Sequence, residues 1–231
     1  VYYRKTLRLT MICSFIFAVA TAINGDAAGK YLAEYQPIKL AAAEWHFETE
    51  ESAKLILGGI LDEETSEVKY GLGIPFALSI LAYGNPTTEV IGLNDFPREL
   101  WPPLYVHYLF DVMVAIGMFL TVVSGLFLLF RYWKKRNEWN RMLLWLIFLG
   151  GPLSMLAIEF GWIFTEVGRQ PWVLVGVMKT IDGATTASNV GSMLILFGSL
   201  YLFLGVFSTL VLLRMFKSKP AELEMQERSI K

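Results

Sequence analysis

The sequence predicts an all-α integral membrane protein: four transmembrane helices, with an outer segment of about 80 residues between the first two, forming part of a larger helical bundle. Three observations predict this. Of 231 residues, 55% are hydrophobic and only 18% charged, with a mean hydropathy of +0.47; a soluble domain carries about 25% charged residues because every side of it faces water. Four apolar runs approach or exceed the roughly 20 residues that a helix needs to cross about 30 Å of hydrocarbon. The lysines and arginines gather in three places that alternation across four spans puts on one side.

The first span lies within residues 1–24, its apolar part LRLTMICSFIFAVATAIN running from Leu7 to Asn24 behind Arg4, Lys5 and Arg8. Residues 25–103 form the outer segment. It is acidic, with Asp26, Glu34, Glu44, Glu48, Glu50, Glu51, Asp62, Glu63, Glu64, Glu67, Glu89, Asp95 and Glu99 against five basic residues. A connection beyond about 15 residues is usually functional or disordered. Partial order is expected here, because Lys39–Phe47 (KLAAAEWHF) is rich in helix formers and Leu72–Tyr83 is apolar. The latter run is about a dozen residues long and contains Pro75, which fits an interfacial or re-entrant piece.

The second span, 104–130, includes His107, Asp111 and Met113; a basic connection, 131–141, carries Arg131, Lys134, Lys135, Arg136 and Arg141. The third span, 142–166, contains Glu159 and ends at Glu166. An outer turn, 167–188, holds Arg169-Gln170-Pro171-Trp172 and then Asp182, Thr185, Thr186 and Ser188, residue types that start helices. The fourth span, 189–213, is free of charge, and the tail 214–231 begins with Arg214, Lys217 and Lys219. The positive-inside rule therefore puts both ends of this chain in the cytoplasm and the acidic segment outside.

Composition excludes several functions. A net charge of −1 gives no basic surface for nucleic acid. Cys13 is the only cysteine, so an intramolecular disulfide and a cysteine zinc site are both impossible. His46 and His107 are the only histidines, too few for several metals held by paired imidazoles. The chain opens on Val1, with no initiator methionine or signal pattern, and is expected to be part of a longer one.

Charges inside a span cost about 2.5–3.5 kcal/mol each on insertion scales and usually face protein. Glu159, Trp162 and Glu166 stand at i, i+3 and i+7 on one face of the third span, with Arg169 following near the surface. Such carboxylates suit proton conduction or ligation of a metal centre, and a helix-end Glu can also be merely solvated. Met113 is either ordinary packing or a thioether ligand to haem iron. His107, at the outer edge, reads as an interfacial residue, and Asp111 as an acid partnered by arginine or solvent.

Read together, these residues resemble the C-terminal half of subunit I of the cytochrome bd quinol oxidases. Gly161-Trp162, Thr165-Glu166 and Gly168-Arg169-Gln170-Pro171-Trp172 match the family's GW-x-x-TE-x-GRQPW run. Gln36-Pro37-Ile38-Lys39-Leu40-Ala41-Ala42-Ala43-Glu44 is similar to its quinol-binding loop, and Val112-Met113-Val114-Ala115-Ile116-Gly117 to the span that supplies a haem methionine. The resemblance implies that Met113 ligates a low-spin haem b and Glu166 a high-spin haem, either haem b or haem d. It implies that Trp162 packs on the haems, that Arg169 lies near propionates, and that Lys39 and Glu44 bind and deprotonate quinol.

The implied protein is a respiratory quinol:oxygen oxidoreductase of a bacterial or archaeal plasma membrane. It oxidises quinol at the outer face and reduces dioxygen to water, building a proton gradient without pumping. Its implied partners are the N-terminal half of subunit I, subunit II, a small accessory subunit, membrane quinol, dioxygen and the bilayer. The family's haem histidines have no counterpart here and lie on earlier spans; Asp111 stands where the family pattern has a basic residue; and the outer segment is short, as in the compact-loop branch. A proton-coupled transporter using Glu159 and Glu166 is the alternative on the buried acids alone, and a purely structural subunit is the alternative on composition.

Overall fold

The computed structural model describes residues 2–62, 65–133, 140–218 and residue 223. Glu63, Glu64, Lys134, Lys135, Arg136 and Lys219, which enter the charge argument, lie outside the described residues. The chain divides into two compact units, Val1–Thr6 with Ala184–Lys231, and Leu7–Gly183.

Among the described residues four helices are long and apolar enough to cross a membrane: α1 (Tyr2–Tyr35), α4 (Val106–Leu128, continued by a π-helical turn to Trp133), α5 (Arg141–Val167) and α7 (Val190–Ser218). The four expected spans are thus all present as helices. At 1.5 Å per residue the 34 residues of α1 reach about 51 Å, well beyond the hydrocarbon thickness of about 30 Å. The helix outruns its apolar stretch by eleven residues because Ala27 to Glu34 are mostly good helix formers and Lys30 pairs with Asp26 one turn earlier at 2.6 Å. Asn140 starts α5 by accepting the Met142 N–H at 3.0 Å.

Between α1 and α4 the described residues of the outer segment are ordered. It contains α2 (Pro37–Ala43), α3 (Ala77–Tyr83) and six short strands paired antiparallel: β1 (Glu50–Glu51) with β6 (Glu89–Val90), β2 (Leu55–Leu57) with β5 (Leu72–Ile74), and β3 (Ile60–Asp62) with β4 (Glu67–Lys69). The apolar run 72–83 is therefore a strand followed by a helix, turned by Phe76 at φ +63°. Between α5 and α7 come the small hairpin β7 (Trp172–Leu174) with β8 (Met178–Lys179), and one turn of helix, α6 (Thr180–Gly183).

Three apolar clusters hold the second unit. Met11 of α1, Val123 and Phe127 of α4 and Leu143 of α5 form one. Ala33 of α1 joins Leu40, Ala53, Leu78, Ala82 and Val90 in another, which anchors the overrunning part of α1 into the outer segment. The third positions the site: Ala41, Ala42, Ala43, Trp45, Phe47 and Leu93 pack on Val106 of α4 and Phe164 of α5. Here α2 lies on the ends of both α4 and α5.

Close backbone approach secures that third cluster. Residues 92–94 bond back to 46–49 through Leu93 N–H to His46 carbonyl (2.9 Å), Asn94 N–H to Phe47 carbonyl (3.0 Å) and Gly92 N–H to Thr49 Oγ1 (2.8 Å). A Cβ on Gly92 would collide with the backbone of Phe47 and Glu48, which have no flexible end to move aside. Gly92→Ala is expected to destabilise the outer segment by about 1–3 kcal/mol, as overpacking does; faster proteolysis of that segment in membranes measures it, with Gly25→Ala, whose added Cβ meets nothing within 4 Å, as the control.

Candidate functional site

The candidate site is built where α2 ends. Glu44 caps the helix, its N–H bonding the Leu40 carbonyl at 3.0 Å, and the His46 N–H reaches the Ala41 carbonyl at 2.9 Å. That pattern requires the residue between them to turn left-handed, and Trp45 does so at φ +48°. Glycine is the usual occupant, because a bulky side chain is strained there. Trp45 is held by its surroundings: it is almost wholly buried, its indole N–H donates to the Leu104 carbonyl at 2.7 Å, and its ring stacks on His107 at 3.9 Å.

The turn drives Glu44 inward. Its side chain is 1% exposed, and neither carboxylate oxygen has a hydrogen-bond partner among the described residues. Loss of water, reinforced by the negative charge of Asp111, pushes its pKa up to about 8. At neutral pH Glu44 is therefore mostly a neutral acid.

Lys39, five residues earlier on the same short helix, points to the other span. Its Nζ lies 3.4 Å from the Thr165 carbonyl and 5.3 Å from the centre of the Phe164 ring. Partial burial and the Arg169 charge lower its pKa, with Glu166 acting in the opposite sense. So the structure brings Lys39 beside the GW-x-x-TE-x-GRQPW run, while Glu44 sits over α4.

On α5, Glu166 and Arg169 form an ion pair at 3.6 Å on an exposed surface, worth little by itself. Glu159 and Trp162 share a face of the same helix with Glu166, and that face is exposed rather than turned into this chain's own packing. Met113 on α4 faces α5: an added Cβ on Gly161 would lie 2.8 Å from its Sδ, so the missing side chain is the room the thioether occupies. Phe110 and Phe164 pack at 5.2 Å one step nearer α2. The Gln170–Pro171 bond is cis.

Two residues differ from their sequence expectation. His107, expected at the interface, is fully buried, since Trp45 covers it. Asp111, expected to meet arginine or solvent, accepts the Gly58 N–H at 2.5 Å and lies 3.3 Å from His107 Nε2. Sequence spacing held one hint of this pair, since i and i+4 share a helix face; its link to Gly58, 53 residues away, had none. The outer segment also carries an open cleft of about 470 Å³ lined by Trp45, His46 and Phe47 together with Glu48, Lys54 and Lys69. Among the described residues no group of three or more His, Cys, Asp or Glu is arranged to hold a metal ion.

Comparison with known proteins gives a consistent result. Residues 1–220 match the family described as cytochrome bd terminal oxidase subunit I. A protein of Bacillus subtilis (strain 168), provisionally named cytochrome bd menaquinol oxidase subunit I, is 42% identical over 96% of this chain and 50% of its own length. A second protein of that strain, cytochrome bd ubiquinol oxidase subunit 1, is 28% identical over 94% of this chain and 49% of its own length. Among solved structures, the bd oxidase from Geobacillus thermodenitrificans is 55% identical, with a TM-score of 0.84 over 95% of this chain and 51% of that one. The chain thus spans about half the length of the relatives it matches.

The Glu44 geometry makes a pH prediction. Its folded-state pKa is raised, so the protonated form is favoured by folding, and that advantage is complete below the ordinary carboxylate range and lost as pH rises through about 8. Infrared spectroscopy should show a protonated-carboxyl stretch at neutral pH that titrates near pH 8 and is missing in Glu44→Gln. The same substitution should add stability relative to wild type increasingly with pH up to that point.

Proposed function

The chain belongs to the cytochrome bd terminal oxidase subunit I family, and from that premise we propose that it is the C-terminal half of the catalytic subunit of a quinol:oxygen oxidoreductase. The observation that carries this reading is α2, which sets Lys39 over the α5 motif and buries Glu44 against α4, so that one seven-residue helix bridges the quinol residues and the haem residues.

Lys39 and Glu44 bind quinol at the outer face and serve its deprotonation, Glu44 receiving a proton in the anionic fraction that a pKa of about 8 leaves at neutral pH. Oxidation of a quinol to a quinone releases two protons, and a base works best with a pKa near the operating pH. Burial brings Glu44 into that range. A partly desolvated lysine beside an aromatic ring offers three donors to a quinol oxygen.

Met113 and Glu166 fit haem ligation: the thioether has a cradle at Gly161 that any Cβ would fill, and the carboxylate stands on an open face with Arg169 ready for a propionate. The fitting groups are a low-spin haem b at Met113 and a high-spin haem b or haem d at Glu166, with Trp162 against them; when bound they carry electrons from quinol to dioxygen, which is reduced to water. The chain's own contribution is ligand placement, helix packing and the separation of the quinol acids from the Glu166 side. Quinol protons leave on the outer side, so charge separates without a pump, provided that the basic segments 1–8, 131–141 and 214–219 lie in the cytoplasm of a bacterial or archaeal plasma membrane.

The boundaries of the sequence reading carry over in this assignment, with residues 25–103 as the quinol segment. The partners that complete the site are the N-terminal half of subunit I, supplying the haem histidines, and subunit II with a small accessory subunit. The 42%-identical Bacillus subtilis relative is named for menaquinol, which favours menaquinol among quinols.

In the assembled oxidase, Met113→Leu should alter the low-spin haem spectrum and Glu166→Ala should remove a high-spin haem signal; unchanged spectra in both would refute the assignment. Lys39→Ala should raise the KM for quinol about tenfold, the loss expected for a charged hydrogen bond, with the haem content unchanged.

A further inference from the structure

We propose that His107 is a positioning residue for Glu44: it fixes the end of α2 on the first turn of α4 and so sets where the Glu44 carboxyl points. The function assigned to Glu44 rests on the quinol reading above, but the positioning itself does not.

Four observations carry the inference. First, Glu44 does not hold itself. Both of its carboxylate oxygens are buried and without a hydrogen-bond partner among the described residues, so its direction is set by the backbone on either side. Second, His107 touches both sides. Its Nδ1 lies 2.6 Å from the carbonyl of Ala43, and its ring stacks on Trp45 at an interplanar angle of 24°. A carbonyl only accepts, so Nδ1 carries the proton and donates. That carbonyl is one of the last of α2, which helix geometry leaves without an intrahelical donor.

Third, the imidazole has no freedom to leave. It is fully buried, with Trp45 on its face and Asp111 Oδ2 3.3 Å from Nε2, close but not aligned as a hydrogen bond. Fourth, the same turn of α4 braces a second part of the outer segment, because Asp111 also takes the Gly58 N–H. Asp111 is thus an anchor for the β2–β3 turn, and His107 the anchor for α2. The two together lock the quinol segment onto the helix that bears Met113.

The test uses the complete oxidase in membranes and reads two signals: the infrared stretch of the protonated Glu44 carboxyl, and the split between KM for quinol and kcat. His107→Leu removes the donor; His107→Asn keeps one where Nδ1 stood. The expected result is that His107→Leu shifts the Glu44 band and raises KM about tenfold, the order of one buried hydrogen bond, with a smaller change in kcat, and that His107→Asn restores both. If the leucine variant fails to assemble, seen as loss of haem, His107→Gln replaces it, since its amide reaches the Nε2 position and leaves Ala43 without a donor.

A Glu44 band at the wild-type position in the donor-less variant overturns the proposal. Equal impairment by His107→Asn overturns it as well. A shifted band with unchanged KM, accompanied by unchanged KM in Glu44→Gln, upholds the positioning and instead refutes the role of Glu44 in quinol oxidation.

Discussion

The end of α2 and the direction of Glu44 depend on one left-handed residue. Trp45 turns the chain back at the end of α2, and it does so without the glycine that such a corner normally uses. The left-handed region costs a non-glycine residue of order 1–2 kcal/mol. Burial of an indole, one hydrogen bond to Leu104 and a ring stacked on His107 together outweigh that cost. Without the corner, Glu44 would continue along a helix axis toward water. With it, the carboxyl enters a region dry enough to keep its proton at neutral pH.

The corner also sets what α2 can reach. Seven residues are about two turns, so Lys39 and Glu44 lie near its opposite ends and address different spans. Three successive alanines, Ala41 to Ala43, let α2 lie close on Val106 and Phe164 without large side chains between. The packing continues inward along α4 and α5 through Phe110 on Phe164 and then Met113 on Gly161. A column of contacts runs from the proposed quinol residues to the proposed haem methionine, and small residues make the close approaches along it.

Much of this was legible beforehand, for identifiable reasons. The four spans follow from hydropathy, because lipid leaves few alternatives to a helix. Glu159, Trp162 and Glu166 follow from helical periodicity, and they are all exposed on α5. Lys39 and Glu44 were found by their motif, and nothing in local spacing says that one is half-buried and the other dry. His107 was misjudged because burial of an edge residue depends on a tryptophan 62 positions away in sequence, and Asp111 because its partner is a backbone N–H in a turn. The short strands of the outer segment were missed since two or three residues carry no periodicity. Acids within a span had left a proton-coupled transporter open; Glu159 and Glu166 are exposed on α5, and membership of the oxidase family leaves no observation that favours it.

Gly161 has a consequence for how this protein can change over generations. Its absent side chain is the space filled by the Met113 sulphur, so every other amino acid brings a Cβ into contact with that atom. Each single-base change of a glycine codon that alters the amino acid adds such a carbon. Because that sulphur is the far end of a flexible side chain, it can swing aside for a small newcomer, so a substitution here acts by moving the methionine rather than by breaking the helix pair. Change at one helix is thereby felt on the other as a new direction of the thioether.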